Sequence, residues 1–255
     1  TGLKMYKLGV LGSKISYSLS PLIHNEFAKQ FDIDIDYQIF DIAQEPEKFA
    51  IKFFNEGGHG LNITKPFKES FSDKFSNSPE SINCIFNNGA KSTSTDGVGL
   101  VGDLKSKKIK FETMNILVYG LGGAAKSILK ALTTNKSIFI ANRTEEKTTK
   151  MLEQNPLLKK YNGEQLDLVI SCAKKLDLNT IKFFEHLNIA KTGIIYDINY
   201  SNQTNALFSE LLLVEEGNLY NGIGMLVEQA AESFSLWFDM RPRTEKIKQK
   251  INEGL

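Results

Sequence analysis

Cysteine, histidine and long apolar runs are all scarce in this chain. Its 255 residues include two cysteines, Cys84 and Cys172, which lie far apart and form no C-x-x-C pair, and its three histidines are scattered. This spacing disfavours a disulfide framework and a zinc site, and with the zinc site a zinc-dependent dehydrogenase. We therefore expect no bound metal.

The chain also lacks an excess of charge of one sign. Lys and Arg total 31 and Asp and Glu total 30, which leaves a net charge of +1 and no basic field for nucleic acid. The longest apolar runs, such as 115–121 and 167–173, have the length of a strand and fall far short of the roughly 20 residues that span a bilayer. No apolar stretch followed by a small-residue cleavage site stands near the start. We expect a cytoplasmic monomer or homodimer whose partner is a small molecule, not nucleic acid or a membrane.

Short apolar runs alternate with helical patterns along the chain, which is typical of an α/β fold. The first part of the chain predicts strands at 7–11, 36–42 and 60–64 and helices at 21–31, 46–55 and 66–75. After Asp96 the predicted elements are a helix at 97–104, strands at 114–119, 137–141, 167–171 and 193–198, and helices at 123–132 and 145–154. The last segment, 222–255, predicts two helices broken at Arg241-Pro242-Arg243.

This order of elements predicts two domains. Residues 1–96 with 222–255 are predicted to form a mixed α/β substrate-binding domain, to which the C-terminal helices return. Residues 97–221 are predicted to form a Rossmann-like cofactor domain with a doubly wound parallel sheet.

A glycine-rich turn after the strand at 114–119 predicts a dinucleotide site. Residues 120–125 read Gly-Leu-Gly-Gly-Ala-Ala, a G-x-G-x-x-A pattern between a strand and a helix. Gly120 allows the tight turn, Gly122 lets the backbone approach a pyrophosphate, and Ala125 keeps the helix close to the sheet. The alternative interpretation of such a glycine triplet is a flexible turn without a ligand.

A basic residue stands where NAD-binding proteins usually have an acid. Asn142-Arg143-Thr144 follows the strand at 137–141, about 20 residues past the glycines, where that acid binds the ribose hydroxyls. Arg143, with Lys147 expected on the same helix face one turn later, predicts a contact with a 2′-phosphate and therefore NADP as the cofactor. The alternative is solvated surface charge.

Two segments of the first domain carry candidate substrate contacts. Ser18 and Ser20 precede Pro21, which suits the first position of a helix, and Ser20 suits its N-cap. Such a helix start can bind a carboxylate. Lys68, after the Asn-Ile-Thr-Lys-Pro-Phe segment at 62–67, falls in the first turn of a predicted helix, where a cation is electrostatically disfavoured.

The position of Lys68 indicates a lysine used for proton transfer, although surface lysines also occupy such positions. Asp96, in Thr95-Asp96-Gly97, suits a helix N-cap. A carboxylate beside Lys68 would also hold its ammonium in place, as in the paired groups of acid and base catalysis.

Five segments together resemble the shikimate dehydrogenase family, over nearly the whole chain from Gly9 to Ala231. The segments are 18–25, 62–68, 95–99, the glycine turn with 142–144, and 222–231. The resemblance implies reversible reduction of 3-dehydroshikimate to shikimate with NADPH, a step towards the aromatic amino acids. His24 and Asn25 are interpreted as structural residues of the first helix.

The resemblance also implies a set of site residues. It implies that Lys68 and Asp96 form the catalytic pair and that Ser18 and Ser20 bind the substrate carboxylate. The implied ring-hydroxyl contacts are Thr64, Asn87, Tyr200 and Gln229. The expected cofactor-binding residues are Gly120, Leu121, Gly122, Gly123, Ala124, Asn142, Arg143, Thr144, Lys147, Ile198, Gly222 and Met225.

The chain departs from the family pattern at Ser94, at Ile-Ser-Cys-Ala in 170–173, and at 87–95, which leaves little room for the customary hairpin. Two other functions stay open: a quinate/shikimate-type dehydrogenase of broader specificity, and a cofactor-binding regulatory module without turnover. A short-chain dehydrogenase is disfavoured because the chain contains no Tyr-x-x-x-Lys pair.

Overall fold

A computed structural model describes residues 4–71, 81–135, 137–174, 177–200, 206, 208–211 and 214–254. The chain divides into two compact units, unit 1 with residues 1–100 and 226–255 and unit 2 with residues 101–225. The predicted domain limits, at 96 and 222, lie four residues before each of these divisions. The assignment of substrate and cofactor to the two domains stays a prediction.

Unit 1 is built on a five-stranded mixed sheet. Its strands are β1 (Tyr6–Gly12), β2 (Ile35–Asp41), β3 (Gly58–Ile63), β4 (Cys84–Phe86) and β5 (Lys91–Thr93), in the spatial order β2-β1-β3-β4-β5. β1 runs parallel to β2 and β3, and β4 is antiparallel to β3 and β5. The helices α1 (Ser20–Gln30) and α2 (Pro46–Asn55) connect the parallel strands. Because parallel strands need such crossovers, the predicted alternation of strand and helix appears here as two βαβ units.

The C-terminal helices complete the core of unit 1. They are α7 (Ile223–Phe238) and α8 (Glu245–Asn252), and from residue 226 onward they belong to unit 1. Trp237 donates from Nε1 to the carbonyl oxygen of Ile85 at 3.0 Å. The fully buried ring of His24 stacks on Tyr37 and lies 5.0 Å from the ring of Trp237. The predicted return of the last two helices to the first domain is confirmed.

Unit 2 is built on a six-stranded parallel sheet. Its strands are β6 (Ile116–Tyr119), β7 (Ile138–Ala141), β8 (Lys159–Lys160), β9 (Leu166–Ser171), β10 (Ile189–Asp197) and β11 (Leu219–Tyr220), in the order β11-β10-β9-β6-β7-β8. Its helices include the end of α3 (Asp96–Ser106), α4 (Gly123–Ala131), α5 (Glu145–Gln154), α6 (Leu178–Glu185) and the start of α7. This order, which reverses beside the first strand, is that of a Rossmann fold. The predicted parallel sheet is confirmed.

The predicted helix at 66–75 is wrong in its described part. Residues Phe67–Glu69 form a single 3-10 turn, and residues 72–75 lie outside the described ranges. The backbone N–H and the hydroxyl of Ser70 both donate to the carbonyl oxygen of Phe67, at 3.0 Å and 2.9 Å. A side chain that competes in this way for a backbone acceptor disfavours continuation as an α-helix.

The segment 87–95 was expected to leave little room for the customary hairpin, but it forms the turn and second strand of one. β4 and β5 form a hairpin whose turn contains Asn87, Asn88 and Gly89, all with positive φ angles of 52°, 53° and 88°. Asn and Gly tolerate this left-handed region better than other residues do. Three residues per strand are therefore enough.

Two features are absent from the described residues. No helix among them is long and apolar enough to cross a membrane. They also contain no group of three His, Cys, Asp or Glu side chains arranged to hold a metal ion.

Candidate active site

Two candidate segments of unit 1 meet at one edge of its sheet. Ser18 and Ser20 follow β1, and the 64–68 segment follows β3, the parallel neighbour of β1. The backbone N–H of Thr64 donates to the carbonyl of Leu11 at 2.9 Å, and that of Ser13 donates to the carbonyl of Lys65 at 3.1 Å. The carboxyl ends of parallel strands thus bring these polar side chains to the same edge.

Lys68 and Asp96 form an ion pair at this edge. The Lys68 Nζ lies 2.6 Å from Asp96 Oδ2, and the two side chains are 23% and 5% exposed. Lys68 stands in the 3-10 turn after β3, and Asp96 is the first residue of α3. The two residues that were expected to form a catalytic pair are therefore in contact, with the carboxylate nearly buried and the ammonium still reachable from solvent.

Asn83 lies at the centre of the hydrogen bonds around Asp96. Its Nδ2 is 3.0 Å from Asp96 Oδ1, 2.9 Å from Thr95 Oγ1 and 3.0 Å from Gln229 Oε1, and its Oδ1 accepts from the Thr95 N–H at 2.7 Å. Asp96 therefore has Lys68 on one oxygen and Asn83 on the other. Asn83 was not among the residues predicted from the sequence. Its one local indication was an amide between buried apolar residues, because a buried amide needs partners.

Gln229 reaches this cluster because α3 and α7 pack closely in unit 1. A Cβ atom at Gly99 would lie 2.7 Å from the Cβ of Gln229, so no larger residue fits at that point of α3. The predicted contact residue Gln229 thus lies beside Asn83, and its Nε2 donates to the carbonyl of Leu226 at 2.9 Å.

The two serines differ from expectation in one respect. α1 begins at Ser20 itself, Leu19 is at the N-cap, and no side chain caps the helix. Ser18 Oγ instead accepts from the Ser20 N–H at 3.3 Å, as serine does in a local turn. The expectation that Ser20 caps the helix is wrong, and Ser18 provides the local hydrogen bond.

The remaining predicted substrate contacts lie elsewhere. Asn87 is exposed in the β4–β5 turn, and the structure does not bring it to the Asn83 cluster among the described hydrogen bonds. Tyr200 follows β10 in unit 2 and is 36% exposed. Their roles stay predictions.

The glycine turn of unit 2 has the geometry of a dinucleotide turn. Gly120 has a φ of +91°, and a Cβ there would lie 2.9 Å from the backbone carbon of Cys172. Gly122 is the N-cap of α4, and a Cβ there would meet no atom within 4 Å, which leaves the helix start open to a ligand. Leu121 lies in the turn, and Gly123 and Ala124 begin α4.

Asn142 joins this turn to the segment after β7. Its Oδ1 accepts from the Leu121 N–H, and its Nδ2 donates to the Thr144 carbonyl, both at 3.0 Å. Arg143 precedes Thr144, the N-cap of α5, whereas Lys147 lies exposed within α5. The expectation that Arg143 and Lys147 share a helix face is wrong, because Arg143 lies outside the helix. Its guanidinium pairs with the carboxylate of Asp177.

The last predicted cofactor residues follow β10 and β11. A Cβ at Gly222 would lie 1.9 Å from the carbonyl oxygen of Ile198, so only glycine fits there. The Met225 N–H donates to the Tyr196 hydroxyl at 3.0 Å. Ile198 follows the carboxyl end of β10, at the edge of the sheet where open α/β folds bind ligands.

Comparison with known proteins gives a consistent result. The family described as "Shikimate dehydrogenase substrate binding domain" matches residues 10–85, and the family described as "Shikimate 5'-dehydrogenase C-terminal domain" matches residues 222–251. The chain is 33% identical to a Ruthia magnifica protein named shikimate dehydrogenase (NADP(+)), over 95% of this chain and 98% of that one. It is 30% identical to a Legionella pneumophila (strain Corby) protein of the same name, over 96% and 98%.

Its fold is similar to that of a solved structure of shikimate dehydrogenase from Aquifex aeolicus. The TM-score is 0.83 at 24% identity, and the match covers 98% of this chain and 99% of the other. This similarity extends over both units.

Proposed function

Because the chain belongs to the shikimate dehydrogenase family, we propose that it catalyses the reversible reduction of 3-dehydroshikimate to shikimate with NADPH. The observation that carries the proposal is the ion pair of Lys68 and Asp96, with its ammonium 2.6 Å from a nearly buried carboxylate. An ammonium that is held in place and is still reachable suits proton transfer to a bound substrate.

Lys68 is the proposed acid and base. When bound, NADPH supplies the hydride that adds to the substrate carbonyl carbon. The carbonyl oxygen then carries an alkoxide charge, and Lys68 donates the proton that converts it to the hydroxyl. In the opposite direction Lys68 accepts that hydroxyl proton. Asp96 holds the ammonium of Lys68 and accepts a hydrogen bond from a ring hydroxyl.

The proposed substrate contacts lie at the edge where β1 and β3 end. Ser18 and Ser20 bind the carboxylate, and Thr64 and Gln229 contact ring hydroxyls. We add Asn83 to this set, supported by its hydrogen bonds to Asp96 and Gln229. The Asn83 amide has two N–H protons but faces three acceptors, on Thr95, Asp96 and Gln229. A ligand hydroxyl can therefore replace one of these acceptors as a partner of Asn83.

The proposed cofactor contacts lie in unit 2. The open helix start at Gly122 and the left-handed Gly120 suit a pyrophosphate, and Arg143 with Lys147 provides positive charge for a 2′-phosphate. The other proposed contacts are Leu121, Gly123, Ala124, Asn142, Thr144, Ile198, Gly222 and Met225.

Replacement of Lys68 tests the proposed reaction. We expect Lys68→Ala and Lys68→Met to lower kcat by roughly 10²–10⁴-fold, the usual range for a general acid or base, with shikimate binding nearly unchanged. Asp96→Asn should impair both kcat and KM, because it removes a substrate contact and the partner of Lys68 together. Steady-state kinetics beside direct titration of shikimate separates these effects.

Lys91→Ala, which removes an exposed lysine of β5 in the same unit, is the matched control and should keep wild-type turnover. Near-normal kcat in Lys68→Ala would remove Lys68 from the mechanism, and lost binding with preserved kcat would reassign it to recognition. Absence of turnover with both shikimate and quinate in the wild type would favour a regulatory module.

A further inference from the structure

Arg143 has an acidic partner that comes from a distant part of the chain. The Arg143 Nη1 donates to Oδ2 of Asp177, and the two side chains are 60% and 37% exposed. Arg143 follows β7, whereas Asp177 immediately precedes α6. The fold of unit 2 thus places a carboxylate against the guanidinium that we assign to the cofactor phosphate.

The two oxygens of Asp177 have different partners. Oδ1 accepts from the backbone N–H of Thr180 at 3.0 Å and so caps α6, while Oδ2 accepts from Arg143. The hydrogen bond from the Thr180 backbone, followed by that from Arg143, lowers the pKa of Asp177 to about 2. The carboxyl group is therefore ionised at neutral pH. Its cap fixes it in place, so it stays beside Arg143 without help from a ligand.

A guanidinium binds carboxylate and phosphate oxygens by the same N–H···O hydrogen bonds. The Asp177 oxygen therefore uses a donor that a 2′-phosphate would use. The 2′-phosphate of NADP must share the Arg143 donor with this oxygen or displace it. The phosphate would also lie close to the negative charge of the Asp177 carboxylate. NAD carries no 2′-phosphate and leaves the ion pair intact.

From this geometry we propose that Asp177 is a specificity-determining residue that competes with the 2′-phosphate of NADP for Arg143 and so limits the preference for NADP over NAD. The proposal rests on the proposed function, in which NADP is the cofactor and Arg143 contacts its phosphate. Asp177 has no direct role in the chemical step, so its effect belongs to cofactor binding.

Asp177→Asn isolates the charge, because asparagine caps a helix about as well as aspartate does. We expect the Kd of NADP⁺, measured by calorimetric titration of the full chain at neutral pH and low salt, to fall about two- to fivefold, the size of an exposed ion-pair effect. The Kd of NAD⁺ should stay at the wild-type value. Asp177→Ser, another good cap, should likewise lower the Kd of NADP⁺ and leave the Kd of NAD⁺ at the wild-type value.

Glu145→Gln is the matched control. Glu145 stands two residues after Arg143 and pairs with Lys160 at 2.5 Å, so this variant removes one negative charge from the same region without freeing Arg143. Its effect on the Kd of NADP⁺ should be smaller than that of Asp177→Asn. An equal effect would show that only the overall charge near the site affects NADP⁺ binding, and it would overturn the proposed competition for Arg143.

Arg143→Ala separates the failure of this proposal from the failure of the proposed function. We expect it to weaken NADP⁺ binding roughly ten- to a hundredfold, as the loss of a charge-assisted contact does, and to abolish most of the gain from Asp177→Asn in the double variant. If Arg143→Ala leaves the Kd of NADP⁺ unchanged, the assigned phosphate contact is wrong. A second outcome is that Arg143→Ala weakens the binding of NADP⁺ but Asp177→Asn does not strengthen it. In that case Asp177 does not compete for Arg143, and the proposed function still stands.

Discussion

His24 makes unit 1 sensitive to mild acid. Its imidazole is fully buried, and its ring stacks on Tyr37 with the centroids 4.6 Å apart. Burial lowers the pKa of His24 from the ordinary 6.5 to about 3, a change that Asn62 only partly offsets. His24 is therefore neutral in the folded chain throughout the range in which an exposed histidine gains its proton.

The pKa of His24 sets both the direction and the size of the effect. Below pH 6.5 the unfolded chain binds a proton on His24 that the folded chain does not bind until about pH 3. The stability that this difference provides is present in full above pH 6.5 and is lost as the pH falls, by about 1.4 kcal/mol per pH unit. At about pH 5 the expected loss is about 2 kcal/mol, a large part of a typical folding free energy of about 5–15 kcal/mol.

Urea unfolding followed by tryptophan fluorescence measures this loss. Trp237, the one tryptophan of the chain, lies 5.0 Å from the ring of His24 and reports on unit 1. Between about pH 6.5 and pH 5, His24→Phe should reduce the slope of the unfolding free energy against pH. The reduction should correspond to about one proton, or about 1.4 kcal/mol per pH unit. His186→Gln, at an exposed histidine, should leave it as in the wild type. Equal slopes for wild type and His24→Phe would refute the reasoning.

Two other replacements test buried hydrogen bonds. Asn83→Ala removes the donor to Asp96 Oδ1 and the acceptor of the Thr95 N–H. The free energy of unfolding, measured in urea titrations, should fall by about 2–4 kcal/mol. The KM for shikimate should rise. An unchanged KM would argue against a substrate contact at Asn83. Tyr196→Phe removes the hydroxyl that donates to the buried carboxylate of Asp103 at 2.8 Å. In thermal unfolding, Tyr196→Phe should lower the free energy of unfolding of unit 2 by about 1.5–3 kcal/mol. A loss under about 0.5 kcal/mol would show that this hydrogen bond does not stabilise unit 2.

Helix limits were predictable where local residues determine them. α5 begins and ends at the predicted residues, Glu145–Gln154, because acidic residues favour its first turn and Pro156 follows its end. The segment after Pro66 carries a similar helix-start pattern and forms only a 3-10 turn. There the Ser70 side chain competes for the backbone, a contact that hydrophobic periodicity does not register.

The proposed catalytic pair and its neighbour Asn83 differ in the same way. Lys68 and Asp96 stand in motifs of their own, and the sequence predicted them as a pair, which the structure brings into contact. Asn83 directly precedes the short strand β4, and its hydrogen-bond partners lie 12, 13 and 146 residues away in the chain. Only the packing of β4 beside β3 and of α7 on α3 brings those partners together, so no local pattern around Asn83 predicts its role.

Arg143 shows how the assembled fold changes the interpretation of a motif. The sequence has a base where NAD-binding proteins usually have an acid, and this exchange alone predicts a free cation for a phosphate. The fold supplies an acid nevertheless, from Asp177, 34 residues further along the chain. In the proposed site, the charge that a cofactor phosphate meets therefore depends on both residues. If Asp177 competes as proposed, a preference for NADP predicted from Arg143 alone is an upper limit, and the Asp177 variants measure how far below that limit this protein lies.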